Sequence, residues 1–242
     1  MAQSKTDISP QLYARVSGIF YLVLIACGFF AEFFVRAHAI VAGDPAATAH
    51  NIMAAETLYR AACTSDVTVL ICDVVLTMTL YVLLTPVNRN LALLMAFFHL
   101  VAGSVLAANL INHFEPLLLL NGAKYLSAFQ QDQLQALAYV AIRAHGIGYN
   151  ISVIFFAANL LLLAYLIVRS TFLPKLLGAM IGVAGVSYLI NCYGNIIAPQ
   201  MLGSLSDFLL LPGFVAELSL ALWLTLRGVN AARWREAALA AA

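Results

Sequence analysis

Two carboxylates, Asp73 and Glu217, stand deep inside apolar stretches, and neither has a cation three or four residues away on its own segment. Charge is expensive in such surroundings, so its retention points to chemistry. A carboxylate there can hold a ligand by fixed charge, carry a proton, or act as acid or base beside a histidine. Other polar residues recur near them: Glu32, Arg60, Asp66, Asn109, Asn112, His113, His145, Tyr149, Asn191 and Asn195. Helical phase groups them. Asp66, Asp73 and Leu80 repeat at heptad spacing, as do His145, Ser152 and Asn159, with Tyr149 beside the latter line. Ser187, Asn191 and Asn195 form a third stripe, one turn apart. Polar stripes on apolar helices face other helices rather than lipid. They outline a polar interior with Asp66, Asp73, Asn109, His145, Tyr149, Asn191 and Glu217 on its walls and Arg60 at its mouth.

A plainer reading stands beside this one. Asn, Ser and Thr stripes also join membrane helices without further purpose. Glu32 and Arg36, spaced i, i+4, can pair with each other. Arg60 and Asp66 can be interfacial groups that reach toward water.

Other chemistries are disfavoured. His113, His145, Asp66 and Glu217 could in principle surround a metal, which needs three or four such ligands. No HxxxH or HExxH spacing occurs, His38 and His50 fall in a loop, and no metal site is assigned. His99 reads as an interior histidine with a partner. A retinal Schiff base needs a lysine inside the bundle, and Lys5, Lys124 and Lys175 all fall at ends or in loops. Phosphate-cradling glycine loops are absent, and the spaced Gly178, Gly182 and Gly185 suit close helix contact. The cysteines Cys27, Cys63, Cys72 and Cys192 lie in apolar segments without a CxxC pair and read as small buried hydrophobes. No cofactor is assigned.

The elements that must position these residues follow from composition. Of 242 residues, 63% are hydrophobic and 10% charged. A soluble domain carries roughly 25% charged residues, so lipid is the solvent for most of this chain. The net charge of +1 leaves no basic stripe for nucleic acid. Six apolar runs, 12–35, 61–84, 91–112, 147–168, 175–197 and 209–227, each approach or exceed the ~20 residues that cross a bilayer. In lipid the backbone must satisfy its own hydrogen bonds, so each is a helix. The expected fold is all-α, a single domain over 1–242, a polytopic transmembrane bundle of six spans. The first run is too long and ends too bulkily, in FFAEFFVR, for a cleaved signal peptide, and residues 1–10 read as a polar tail.

Lysine and arginine set the expected orientation. With the N-terminus inside, Lys5, Arg15, Arg89, Arg169, Lys175, Arg227, Arg233 and Arg235 face the cytoplasm, against Arg36, Arg60, Lys124 and Arg143 outside. That bias favours both termini inside, in a bacterial inner membrane. The two longer loops are then outside. Asp44-Pro45 is an N-cap followed by a proline at the first helical position, and it predicts a surface helix over 45–59. A second interfacial helix is expected over 130–145, breaking near Gly146 and Gly148 before the fourth span. A helix continuous from Gln130 to Val168 is the alternative. By depth, Asp66 falls about 9 Å below Arg60 and Glu217 about 12 Å into its span. Polar groups thus gather in the outer half, above a mostly dry floor.

The stretches YVLLTPVNRNLALL, AYLIVRSTFLPKLLG and LPGFVAELSLALWLTLRGV resemble the uncharacterised bacterial multi-pass membrane family called domain of unknown function 4386. The resemblance runs from ARVSGIFYL to LRGV. It implies the multi-pass topology and polar positions matching Arg60, Asp73, Asn109, Tyr149 and Glu217. It carries no activity with it. From the residues, the leading expectation is a membrane protein that binds, and by binding moves or senses, a small or amphipathic ligand in an outward-facing chamber. The rivals are an intramembrane enzyme acting on lipid and a structural partner subunit. Membrane lipid is the expected partner, and assembly into a homo-oligomer stays open.

Overall fold

A computed structural model describes residues 9–198, 200 and 205–241. The tail through residue 8, with Lys5, lies outside the described residues. All regular structure among the described residues is helical, and six helices are long and apolar enough to span a membrane. They are α1 (Pro10–Ala39), α3 (Glu56–Leu84), α4 (Arg89–Leu119), α5 (Gln131–Arg169), α6 (Lys175–Ile197) and α7 (Leu205–Leu226). Shorter helices among the described residues are α2 (Pro45–Ala54), α8 (Ala231–Ala240) and a single 3-10 turn at Lys124–Leu126.

Local signals start these helices where the chain enters apolar sequence. Ser9 caps α1, with Pro10 in its first turn, and the Ser9 hydroxyl accepts from the Leu12 N–H. Asn88 caps α4 through Leu91, and Asp44 caps α2 through Ala47 ahead of Pro45, as the sequence predicts. Gln130 and Gln133 form a reciprocal capping box at the head of α5. Gly228, at a φ of 68°, ends α7 in the left-handed region that glycine enters without strain.

The six long helices run up and down, and each packs on its chain neighbour. α7 also packs on α1, so the bundle closes as one ring. We call the end holding Pro10 and α8 the near end and the other the far end. The near end has a dense apolar core, with Leu76, Leu83, Met95, Leu160, Leu163, Leu220 and Leu224 almost fully buried. Within it, Ser17 donates to Thr79 and bridges α1 to α3 at 2.7 Å. Ring closure depends on Gly18, where a Cβ would stand 2.4 Å from the Thr225 backbone nitrogen. A second, smaller core at the far end joins Ala31, Val35, Ile52, Tyr59, Cys63, Leu117 and Ile142. The outside is studded with exposed apolar side chains such as Phe34, Ile71, Ile111 and Val183, as a lipid-facing surface requires.

Several boundaries differ from the sequence reading. The third span runs on to Leu119 through Pro116. The expected second interfacial helix is not separate: α5 is one 39-residue helix through Gly146 and Gly148. A break there would leave backbone groups without partners near lipid, whereas a glycine inside a helix costs only about 1 kcal/mol. The 45–59 helix is instead interrupted at Ala55, and α3 starts at once from Glu56. The end of α1 widens into a π-helical turn, Phe30–Arg36. α8 was not foreseen. It folds back under the near end, where Trp234 is buried and its indole N–H donates to the Leu83 carbonyl at 2.9 Å.

Candidate functional site

Halfway along the bundle, five polar side chains from five helices face inward. Glu217 of α7 accepts from the Tyr21 hydroxyl of α1 at 2.8 Å and from the Tyr188 hydroxyl of α6 at 2.7 Å. Asp73 of α3 meets His99 Nε2 of α4 at 2.9 Å. Phe156 of α5 stands between the two groups, with ring centroids 5.4 Å from His99 and 6.3 Å from Tyr188. Through Phe156, which packs on both His99 and Tyr188, the Asp73 and Glu217 groups belong to one interior. Neither has an arginine or lysine partner among the described residues. Hydroxyl donors alone hold the Glu217 carboxylate.

A second polar layer lies at the far end. Arg36 reaches from the π-helical turn to Glu32 on its own helix and to Asp66 of α3, each at 2.7 Å. His113 Nδ1 of α4 approaches the same Asp66 oxygen at 2.9 Å. The approach is close enough for an ion pair but off line for a hydrogen bond, and Nε2 has no partner either. The ring lies against His145 of α5, centroids 4.7 Å apart. Asn109 fastens α4 to α5 by donating to the His145 carbonyl at 2.8 Å. Room for this comes from Gly148, where a Cβ would lie 2.3 Å from the Asn109 side-chain oxygen. Among the described residues no three His, Cys, Asp or Glu groups converge as metal ligands.

Between the layers the inward faces are not filled. On α1 the heptad line Ala14, Tyr21, Gly28, Val35 is buried except at Gly28, where a Cβ would meet nothing within 4 Å. On α4 the line Ala96, Gly103, Leu110, Leu117 shows the same opening at Gly103. On α5 Tyr149 follows Ile142 and precedes Phe156 and Leu163 on one line, yet it is 47% exposed. It lies within electrostatic reach of Glu32 and Arg36 in one layer and of Glu217 in the other. Gly28, Gly103 and Tyr149 thus each have open space beside them. Two cavities at the near end, of about 390 and 460 Å³, are lined by other residues.

The candidates named from sequence divide accordingly. Asp73, Glu217 and Tyr149 line one interior, and Asp66, Asn109 and His145 build the far layer. Asn191 accepts from Ser206 at 2.6 Å and from Asn195, so it ties α6 to α7, as the plainer reading allows. Arg60 is not brought to the site. It pairs with Glu56 on its own helix at 2.7 Å, is largely exposed, and leaves Asp66 to Arg36. Tyr21 and Tyr188 were missed. Tyr21 falls at heptad spacing between Ala14 and Gly28, but such spacing does not separate an inward tyrosine from a lipid-facing one.

An uncharacterized protein of Archaeoglobus fulgidus is 31% identical over 123 residues, which cover 51% of this chain and 60% of that protein. The match therefore spans less than two thirds of that relative's length. No solved structure matches. The family model described as Domain of unknown function (DUF4386) matches residues 16–228. Together with six helices able to span a membrane and no strand among the described residues, this match makes the chain a multi-pass, membrane-type helical member of the Domain of unknown function 4386 family.

Proposed function

We propose that this protein binds a small amphipathic ligand with a cationic group, in a chamber between the two polar layers. The carrying observation is the gap at Gly28, Gly103 and Tyr149 directly above a carboxylate that has only hydroxyl partners. An ammonium or similar group in that gap would offset the Glu217 charge. The rings of Tyr21, Tyr149, Phe156 and Tyr188 supply the faces that favour a desolvated cation, an attraction of roughly 0.5–2 kcal/mol per ring. The dry core of the near end closes the floor, so the entrance we propose lies toward the far end, past the smaller core there. With the near end in the cytoplasm, as the Lys and Arg bias favours, that opening faces outward. The host is a cytoplasmic membrane.

The rival reading, an intramembrane enzyme acting on lipid, has one observation in its favour. Asp73 and His99 stand at 2.9 Å, the separation that a carboxylate–histidine acid–base pair needs. The His99 ring is buried edge-on against Phe156, which suits a positioned partner of Asp73 more than a base that meets substrate.

Labelling tests the binding reading. Cys27, Cys63, Cys72 and Cys192 are first replaced by alanine, and Gly28→Cys or Gly103→Cys is then introduced. A small hydrophilic thiol reagent should modify either new cysteine. Tetraphenylphosphonium, an amphipathic cation, should protect both, and Glu217→Gln should abolish the protection without abolishing labelling. No labelling at either position removes the chamber. Protection that survives Glu217→Gln removes the role of the carboxylate.

A further inference from the structure

At the near end, the loop 171–174, the last turn of α7 and the start of α8 border an open cavity of about 390 Å³. Arg227 and Arg233 line it, and no acidic residue does. Neither arginine is ion-paired among the described residues. Arg227 directly follows the last residue of α7, so it sits at headgroup depth. Trp223, one turn earlier and 37% exposed, lines the same cavity at the level where interfacial tryptophans anchor helices. The N-terminus of α8 adds donors. Asn230 caps it by accepting from the Arg233 N–H, while the first-turn N–H groups of Ala231 and Ala232 have no acceptor among the described residues. Helix N-terminal amides and guanidinium forks both favour phosphate oxygens.

The surrounding charge points the same way. Arg15, Arg89, Arg169, Lys175, Arg227, Arg233 and Arg235 all belong to this end, and none is ion-paired among the described residues. Glu236 is the acid that α8 sets among them. A field of that sign, at that depth, draws anionic lipid toward this end in general.

We infer that this cavity is a binding site for the phosphate headgroup of an anionic phospholipid, and that the lipid fastens α8 to the ends of α6 and α7. Arg227 and Arg233 take the phosphate oxygens, the first turn of α8 donates to them, and Trp223 lies along the upper acyl chain. The site is separate from the chamber and does not depend on it. A free phosphate compound offers the same oxygens. The position of Trp223 and Arg227 at a span's end favours the lipid.

The full chain in nanodiscs containing equal phosphatidylglycerol and phosphatidylcholine tests this, with retained lipid counted by native mass spectrometry. The intact protein should retain phosphatidylglycerol at least tenfold over phosphatidylcholine. Arg227→Gln should reduce that preference at least fivefold. The side chain of Arg227 makes no hydrogen bond among the described residues, so this variant disturbs no other contact. Arg233→Gln should do the same, with added loosening of α8, because its guanidinium also donates to the Thr171 carbonyl. Arg89→Gln, a cation of the same end outside the cavity, contributes only to the general field and should lower the preference less than twofold. Equal retention of both lipids, an unchanged Arg227→Gln, or an equal loss with Arg89→Gln overturns the site. Displacement of the lipid by millimolar inorganic phosphate overturns the assignment to lipid.

Discussion

Replacing Glu217 separates what holds the bundle together from what the proposed chamber would bind. Glu217 is 8% exposed and joins three helices by accepting from Tyr21 and Tyr188. Leucine in its place has similar bulk and no acceptor, so two buried hydroxyls lose their partners. An unsatisfied buried hydroxyl costs about 1–3 kcal/mol in water-soluble proteins, and membrane hydrogen bonds average about 0.6 with a ceiling near 1.7. Taking roughly 1–1.5 kcal/mol for each bond, Glu217→Leu should destabilise the bundle by about 2–3 kcal/mol. Glutamine keeps one oxygen for one tyrosine, and its amide can donate to the other hydroxyl, which turns to accept. Its cost should stay below about 1 kcal/mol. Tyr21→Phe alone should cost about 1 kcal/mol and should cost almost nothing in the Glu217→Leu background, a coupling of about 1 kcal/mol. Reversible unfolding of the purified protein in mixed micelles, titrated with a denaturing detergent, measures all four variants. If the leucine and glutamine variants are equally stable, or if Tyr21→Phe adds in full to Glu217→Leu, the tyrosine–carboxylate link does not exist as described.

Three further outcomes are expected. Arg36→Ala leaves Asp66 with His113 alone and should cost about 2–4 kcal/mol, a little under the fully buried range because both partners keep some solvent contact; stability in the same detergent titration checks it. Gly18→Ala drives a Cβ to 2.4 Å from the Thr225 backbone and 2.8 Å from the Ala221 carbonyl oxygen, so α1 and α7 must separate at roughly 1–3 kcal/mol; a lower unfolding midpoint and faster proteolysis between α1 and α7 should follow. In a cysteine-free background, single cysteines at Asn88 and Thr171 should be shielded from an impermeant thiol reagent in intact cells, while those at Asp44 and Lys124 should react; labelling at Asn88 or Thr171 would reverse the orientation.

Single segments carry enough information to be read without a fold when the physics acts within them. The six spans follow from length and apolarity, because a chain in lipid must close its hydrogen bonds locally. Helix starts follow from caps such as Asp44-Pro45, whose partners lie three residues away. The pairing of Glu32 with Arg36 follows from i, i+4 spacing. That Asp73 and Glu217 turn inward follows from the cost of charge in hydrocarbon. The identity of their partners does not, because it depends on which helices become neighbours and at what depth. Asp66 pairs with Arg36 from another helix although Arg60 is nearer in sequence. Asp73 takes His99 across the α3–α4 contact, and Glu217 takes two tyrosines from the helices on either side of it. Gly148 looks like a break in the sequence and is, in the fold, room for Asn109. The open space beside Gly28, Gly103 and Tyr149 is likewise visible only in the fold, since it depends on which helices stand around each residue.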